Sequence, residues 1–457
     1  MQRENNKTLK QHTLPMWSVP ASLVGGVLLS LAFKWPIYIG LLIGYVGSVA
    51  YTRGLHSWHD IWMATWRGMT AMWKVCSVLI LVGAMIAVWM ISGTIPALMH
   101  VFSSIISSRD IIWAGFLVAA LLSMVIGSSI ASWGILAPPL MTLCPPHLSP
   151  IVAGAIISGG MVGDRSSPMS TSVIVMSQAS GIDSRNVLRQ LNRTMLPPFL
   201  LTLLLFFFVN LRVGASSVGH LSLESVSSQS LVLLIPPILV IGLAVAGVPL
   251  VWNLSAVLLV SAAYPVIQGT NLIVAVRQIW GGYPIRHQAQ WMHIGGIWPM
   301  SAAVVLILIA GAFQRATQLG GAIEVLASRA FNRLSDSRSV IAASFGLGVC
   351  YTFLMGSQTL SILMTANTIE PQFKKRAMKK EAVLQVIADS SELFAVLVPW
   401  NLLGLQAVAI VGVPTLQFAP FAWFIWLGLG LSVIKQTATG SGVSGVGRQK
   451  TLYRARS

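Results

Sequence analysis

Apolar residues in this chain gather in long runs rather than alternating with polar ones. The runs recur from end to end, at 75–98, 111–130, 195–211, 231–260 and 418–434. Wound as helices, stretches of this kind are what roughly 30 Å of hydrocarbon requires. Charge, Pro or Gly interrupts the pattern at Lys34-Trp35-Pro36, Arg53-Gly54, Arg109-Asp110, 212–230 and 268–295, which marks the connections. Segment 56–69 differs, because Trp58, Trp62 and Trp66 interleave with His59, Asp60 and Arg67 as in a helix lying in the membrane interface, and 278–291 repeats the theme. The predicted fold is an all-α integral membrane protein with roughly ten to twelve transmembrane helices, several of them broken.

Composition agrees: 55% of the 457 residues are hydrophobic and 9% charged, leaving no room for a separate globular domain. The net charge of +17 would suggest nucleic acid in a soluble protein. Here the basic residues sit in short polar segments: Arg3, Lys7 and Lys10; Arg185, Arg189 and Arg193; Lys374 to Lys380; and Lys435, Arg448, Lys450, Arg454 and Arg456. That is the positive-inside pattern, and it puts both termini in the cytoplasm with an even number of spans and no nucleic-acid partner. The first apolar run lacks a small-residue cleavage site and reads as a retained span. Cys76, Cys144 and Cys350 are isolated, so no metal or disulfide framework is expected.

Spacing suggests a duplication. Trp73 and Trp298 are 225 residues apart (298 − 73), as are Ser132 and Ser357, and Asp164 and Asp389. Transporters commonly set such halves in opposite orientation about a site near the bilayer midplane. The expected organisation is a cytoplasmic tail at 1–17, a first transmembrane repeat at 18–212, a polar linker at 213–229, a second repeat at 230–434 and a basic flexible tail at 435–457. Within that tail, residues 440–445 match a dinucleotide fingerprint, but without a flanking strand and helix they read as a linker.

Of the twelve acidic residues, three fall inside apolar context: Asp164, Asp389 and Glu392. A carboxylate at membrane depth costs several kcal/mol unless it meets a cavity, a cation or a proton, so such positions are functional candidates; the competing role for Asp164 is a helix cap. Around it run Gly163-Asp164-Arg165-Ser166-Ser167-Pro168-Met169-Ser170-Thr171-Ser172, where Pro and small residues break a helix and hydroxyls offer hard oxygen ligands to an alkali cation. Asp389-Ser390-Ser391-Glu392 with Pro399-Trp400-Asn401 has the same ingredients. The cation- and proton-binding candidates are therefore Asp164, Asp389, Ser167, Ser170, Thr171, Ser390 and Asn401. Further breaks at 127–134 and 356–359 add Ser132, Trp133, Ser357 and Gln358, which with Arg165, Glu392 and Trp400 are candidates for contact with substrate. The same breaks, like Gly40 and Gly44, also suit close helix packing through small residues.

At these residues the chain resembles the NhaC-type sodium/proton antiporters of bacterial cytoplasmic membranes, part of an ion-transporter superfamily with inverted repeats. The likeness runs from about Met72 to Phe421 and is carried by 89–96 (Trp-Met-Ile-Ser-Gly-Thr-Ile-Pro), 131–134, Gly163-Asp164 with Ser167-Pro168, 358–362, and Asp389-Ser390 with Val398-Pro399-Trp400-Asn401. It implies exchange of cytoplasmic sodium for external protons; some relatives look like ion-coupled carboxylate exchangers. Two departures from the family pattern make the site less anionic, and a third residue answers them. Arg165 replaces a Lys, and Ser170-Thr171-Ser172 lacks a second Asp; Glu392 stands where a neutral residue is expected and offsets the loss of negative charge.

The expected function is thus secondary transport, with sodium and protons as transported ions, no resident cofactor, and membrane lipid as the surrounding partner. The mechanism is alternating access in which one carboxylate binds either ion, burial and a neighbouring arginine together setting its working pH. Two alternatives remain open at the sequence level: a small organic acid or amino acid clamped by Arg165, and a sensor or scaffold that has lost transport. An enzyme is not expected, since the chain has no His-Glu-x-x-His, Gly-x-Gly-Asp or Gly-x-Ser-x-Gly. A homo-oligomer is left open.

Overall fold

A computed structural model describes residues 14–105, 110–213, 231–287, 290–322, 334 and 336–439. Most of the expected N-terminal tail, nearly all of the linker, and the C-terminal tail from 440 onward with its fingerprint-like glycines lie outside these residues.

The chain opens on a hairpin of α1 (Ser18–Ala32) and α2 (Ile37–Arg53) turned at Trp35-Pro36. Its helices nearly touch: a Cβ on Gly40 would stand 2.8 Å from the Gly26 carbonyl oxygen, and one on Gly44 would stand 2.9 Å from Leu23, as expected of small-residue packing. Next comes α3 (Trp58–Ala71), started by a reciprocal Ser57–Asp60 capping box. Trp58, Trp62 and Trp66 are exposed on one face while Ile61, Thr65 and Gly68 are buried on the other, the amphipathic pattern read from the sequence. It leads into α4 (Trp73–Ile91), and Gly93 turns the chain into α5 (Thr94–Ile105).

The run at 111–130 does not become one helix. α6 (Ile111–Ile126) ends at Gly127, whose φ of +76° disfavours any residue with a Cβ, and extended Ser128 caps α7 (Ser129–Leu143). After Pro145, α8 (Ser149–Ser166) runs to the extended Ser167; α9 (Thr171–Ser180) starts on a Ser170 cap and stops at left-handed Gly181; α10 (Ser184–Val213) closes this half. α6 packs along α8 with almost no gap, because a Cβ on Gly163 would stand 2.3 Å from Ser123 Cβ and 2.4 Å from the Met124 nitrogen. Gly163→Val should therefore destabilise the purified chain by about 1–3 kcal/mol through overpacking. Gly134→Ala, where an added Cβ meets nothing within 4 Å, should leave the thermal midpoint unchanged or higher. An equal midpoint for both variants in a detergent melt would contradict this packing.

The second half begins with α11 (Ile235–Val245) and α12 (Leu250–Ile267), which divide the run at 231–260 because Gly247 at φ +79° and Pro249 end one helix and start the next. Then come α13 (Leu272–Gly281) and an antiparallel hairpin of β1 (Tyr283–His287) and β2 (Gln290–Ile294). The interfacial helix read at 278–291 is thereby corrected: helix lasts only to Gly281, and Gly282 at φ +93° turns the backbone into strand. α14 (Ser301–Gly320) packs on α2 and α3.

From here one local pattern seen at α6 and α7, a left-handed Gly, an extended Ser and a helix start, occurs again. α15 (Ser337–Met355) ends at left-handed Gly356, and extended Ser357 precedes α16 (Gln358–Lys375). In backbone geometry Ser357 thus matches Ser128 rather than Ser132. α17 (Lys380–Val386) continues as a π-helix over Ile387–Glu392 and a 3₁₀ turn over Leu393–Leu397. After a break at Val398 to Asn401, α18 (Leu402–Val411) starts on an Asn401 cap and stops at left-handed Gly412. α19 (Thr415–Phe418) and α20 (Trp423–Thr439) complete the chain.

Apart from the hairpin, every described element is helical, as an all-α membrane protein requires. Among the described residues six helices are long and apolar enough to span, and up to eight if the pairs bent by 45° and 58° each count as one; five shorter apolar helices carry other runs. The expected ten to twelve followed from chain length and an even number of spans; left-handed glycines such as Gly127 and Gly247 divide apolar runs into pieces below spanning length.

Candidate functional site

Two interrupted helices meet at the centre of the bundle. α8 unwinds after Ser166, and the π-helical stretch of the α17 segment lies between α15 and α16. A π turn widens a helix and is found frequently at functional positions. Here it presents Asp389 and Glu392, three residues apart, toward the end of α8.

Arg165 closes the junction. Its Nη1 donates to Asp389 Oδ1 at 2.7 Å, and its Nε lies 3.7 Å from Glu392 Oε2. Asp389 Oδ2 accepts from Gln385 Nε2 at 2.5 Å, one turn earlier on the same helix. The Glu392 carbonyl accepts from Gln358 Nε2 at 3.2 Å, which ties α16 to the junction. All of this is dry: Asp389 and Arg165 are 1% exposed and Glu392 is 0% exposed. Satisfaction is incomplete, because Arg165 Nε and Nη2, both Glu392 carboxylate oxygens and Trp133 Nε1 have no hydrogen-bond partner among the described residues.

Asp164 faces the other way. It lies in the last turn of α8, where the helix dipole disfavours an anion, but its carboxylate reaches the start of α9, where the dipole favours one. Ser170 Oγ donates to Oδ1 at 2.7 Å and Ser172 Oγ to Oδ2 at 3.1 Å. The cap position of α9 is filled by Ser170, which accepts from the Ser172 nitrogen, so the cap role considered for Asp164 falls to Ser170. Asp164 is 5% exposed and makes no ion pair among the described residues.

The structure distributes the remaining sequence candidates around this centre. Thr171 is exposed, and Ser172 stands beside Asp164 in its stead, because the ~100° step of the first turn of α9 carries Thr171 to the outer face and Ser172 and Val173 to the inner one. Ser167 is buried and accepts from the Met169 nitrogen at 3.4 Å. Ser390 Oγ bonds back to the Val386 carbonyl at 2.6 Å, and Ser132 Oγ to the Ser129 carbonyl at 3.0 Å. Asn401 caps α18 through the Leu403 nitrogen at 3.1 Å, and Trp400 Nε1 donates to the Phe353 carbonyl at 2.6 Å. Ser357 is the extended residue before α16. Trp133 is fully buried against Gly160, where any Cβ would strike its indole. Room remains on the next residue: Gly134 is buried, yet a Cβ there would meet no atom within 4 Å.

Sequence reading named Ser172 among the hydroxyls after Asp164 without making it a binding candidate, and passed over Gln385. The first is eight residues from Asp164 and meets it only because the chain turns at Pro168. Gln385 had a local signal, a Gln four residues before an Asp on a helix, which is a recognised side-chain pair. No group of three His, Cys, Asp or Glu among the described residues is arranged to hold a metal ion.

Comparison with known proteins adds an independent line. A sequence profile described as "Na+/H+ antiporter family" matches residues 8–208 and 186–436. The Na(+)/H(+) antiporter NhaC of Alkalihalophilus pseudofirmus is 27% identical over 92% of each chain. A malate-2H(+)/Na(+)-lactate antiporter of Bacillus subtilis is 24% identical over 90% of this chain and 92% of its own. The arginine/ornithine antiporter ArcD of Halobacterium salinarum is 24% identical over 92% of this chain and 89% of its own.

Proposed function

Because the chain belongs to the Na+/H+ antiporter family and is a multi-pass membrane protein, we propose that it exchanges sodium for protons across the cytoplasmic membrane by alternating access, with Asp164 as the carboxylate for which the two ions compete. The observation that carries this reading is the charge balance of the buried centre. Three carboxylates, Asp164, Asp389 and Glu392, share one guanidinium, and that guanidinium is engaged with the latter two. Asp164 is left buried with only hydroxyl donors, a state tolerated when a proton or a cation joins it. A serine hydroxyl that donates to the carboxylate can still accept; Ser170 has one lone pair left after its bond from the Ser172 nitrogen, so Ser170 and Ser172 complete an oxygen site.

Competition for one carboxylate is itself the coupling, since occupancy by one ion excludes the other. Two halves in inverted topology, 18–212 and 230–434, would supply the alternating access; the recurrence of left-handed Gly, extended Ser and broken helix supports this, as does a family match falling on each half. The end carrying Arg185, Arg189, Arg193 and Lys374 to Lys380 faces the cytoplasm, with both termini, by the positive-inside bias. The organic-solute reading is less favoured, because an arginine already paired with two carboxylates has little charge left for a substrate's.

Flux assays in liposomes across sodium, lithium and potassium at several pH values test the proposal. Sodium should release an imposed proton gradient while labelled malate, lactate and arginine should not exchange; exchange of an organic solute in place of sodium would overturn it. Ser170→Ala and Ser172→Ala should each raise the apparent KM for sodium by about tenfold, the worth of one hydrogen bond to a charged group. An unchanged KM in both would remove the hydroxyls from the site.

A further inference from the structure

At the basic end of the bundle a cavity of about 400 Å3 opens between α10, the start of α17 and α20. Three cations line it, Arg193, Lys379 and Lys435, against a single acid, Glu381. Pro197, Pro198, Leu431 and Ile434 form its apolar side. That side continues onto outward-facing hydrocarbon: Leu196 is 54% exposed, Leu200 47% and Ile434 64%. Positive charge at one end and open apolar surface at the other match an amphiphile rather than a small inorganic anion, which would use only the charged part.

One buried amide points to an occupant, and a second links the cavity to the centre. Gln436, 7% exposed, lines the cavity, and its side-chain oxygen has no partner among the described residues. Since amide oxygen and nitrogen are interchangeable by a flip, this side chain can turn N–H donors inward. Gln385, 6% exposed, lines the same cavity and donates to Asp389 Oδ2, so one side chain touches both the cavity and the carboxylate paired with Arg165.

We infer that this cavity holds the phosphodiester headgroup of an anionic phospholipid, with Arg193, Lys379 and Lys435 neutralising the phosphate and the acyl chains lying along α10 and Ile434. Gln385 places the bound headgroup one hydrogen bond from Asp389, so occupancy adjusts the ion-pair centre. The binding site stands on geometry alone; only its effect on transport rests on the exchange reading.

The purified full-length chain is titrated with phosphatidylglycerol, phosphatidylcholine and inorganic phosphate, and binding is followed by native mass spectrometry and thermal midpoint. Phosphatidylglycerol should bind and raise the midpoint, and the triple variant Arg193→Gln/Lys379→Gln/Lys435→Gln should bind it about a hundredfold more weakly. The charge-keeping triple Arg193→Lys/Lys379→Arg/Lys435→Arg should bind like the parent, which ties the loss to charge rather than to misfolding. Phosphatidylcholine binding as tightly as phosphatidylglycerol, inorganic phosphate reproducing the effect, or undiminished binding by the neutral triple variant would each overturn the site. Neither readout needs transport, so absent sodium–proton exchange with intact lipid binding rejects the functional reading alone.

Discussion

Asp164→Asn, reconstituted in liposomes, should show no sodium-dependent proton flux above that of empty vesicles. Asparagine keeps the size and the acceptor oxygen that Ser170 meets at 2.7 Å, so the fold has little reason to change. What it loses is the ability to take up a proton or to neutralise a cation, and under the competition mechanism both half-cycles need that one charge. Asp164→Glu is the informative companion. It retains the charge but adds a methylene between α8 and the start of α9, and it should retain exchange at a reduced rate with an altered sodium KM. Wild-type flux in the Asn variant, at equal protein incorporation, would move the site away from α8. The thermal midpoint of that variant should stay close to the parent's, which separates lost chemistry from lost structure.

Arg165→Gln should have the largest effect on stability. Its guanidinium is the cation paired with Asp389 at 2.7 Å and with Glu392 at 3.7 Å, and all three groups are removed from water. Removing one partner of a buried ion pair leaves an uncompensated charge and typically costs about 3–5 kcal/mol. Here two carboxylates lose it at once. The expected result is a large fall in the midpoint of the purified protein, partly reversed in the double variant Arg165→Gln/Glu392→Gln, which removes one orphaned acid. Arg165→Lys should fall between, since an ammonium supplies the charge but not the two-sided reach of the planar group. If Glu392→Gln alone is as destabilising as Arg165→Gln, and the double variant shows no recovery, the two side chains do not act as a pair.

That pairing also joins two residues that the sequence resemblance singled out. An Arg after the central Asp and an acid at 392 look unrelated in the sequence, 227 positions apart (392 − 165). In the fold they face each other, Arg165 Nε lying 3.7 Å from Glu392 Oε2, so the positive charge of one is met by the negative charge of the other. Asp164 itself is spared the pairing and remains available.

Much of the architecture was legible because membrane insertion imposes a plain rule. A helix that satisfies its own backbone and carries apolar side chains leaves long runs in the sequence, and a run such as 195–211 became part of α10 as written. The amphipathic 56–69 was legible for the same reason: Trp every fourth residue fixes one face of a helix wherever that helix lies. Less legible were the surroundings of the points where helices stop. The Gly-Ser steps at 127–128 and 356–357 read as breaks, but the sequence does not say what the freed helix ends will meet; neighbouring helices decide that. The hairpin at Tyr283–Ile294 was missed because a short stretch rich in aromatic and basic residues suits an interfacial helix and a strand pair alike.

By itself the sequence determined that this is a helical membrane protein and that three acids, Asp164, Asp389 and Glu392, lie where acids are costly, because composition and hydrophobic runs are local properties of a chain facing hydrocarbon. Only the tertiary structure decided which of those acids Arg165 takes, that Ser172 rather than Thr171 attends Asp164, and that Gln385 stands between the centre and a basic cavity. Those are choices among groups far apart in sequence, and they depend on where two interrupted helices end relative to one another. A difference of a single turn would exchange the partners while leaving every hydrophobic run as it is.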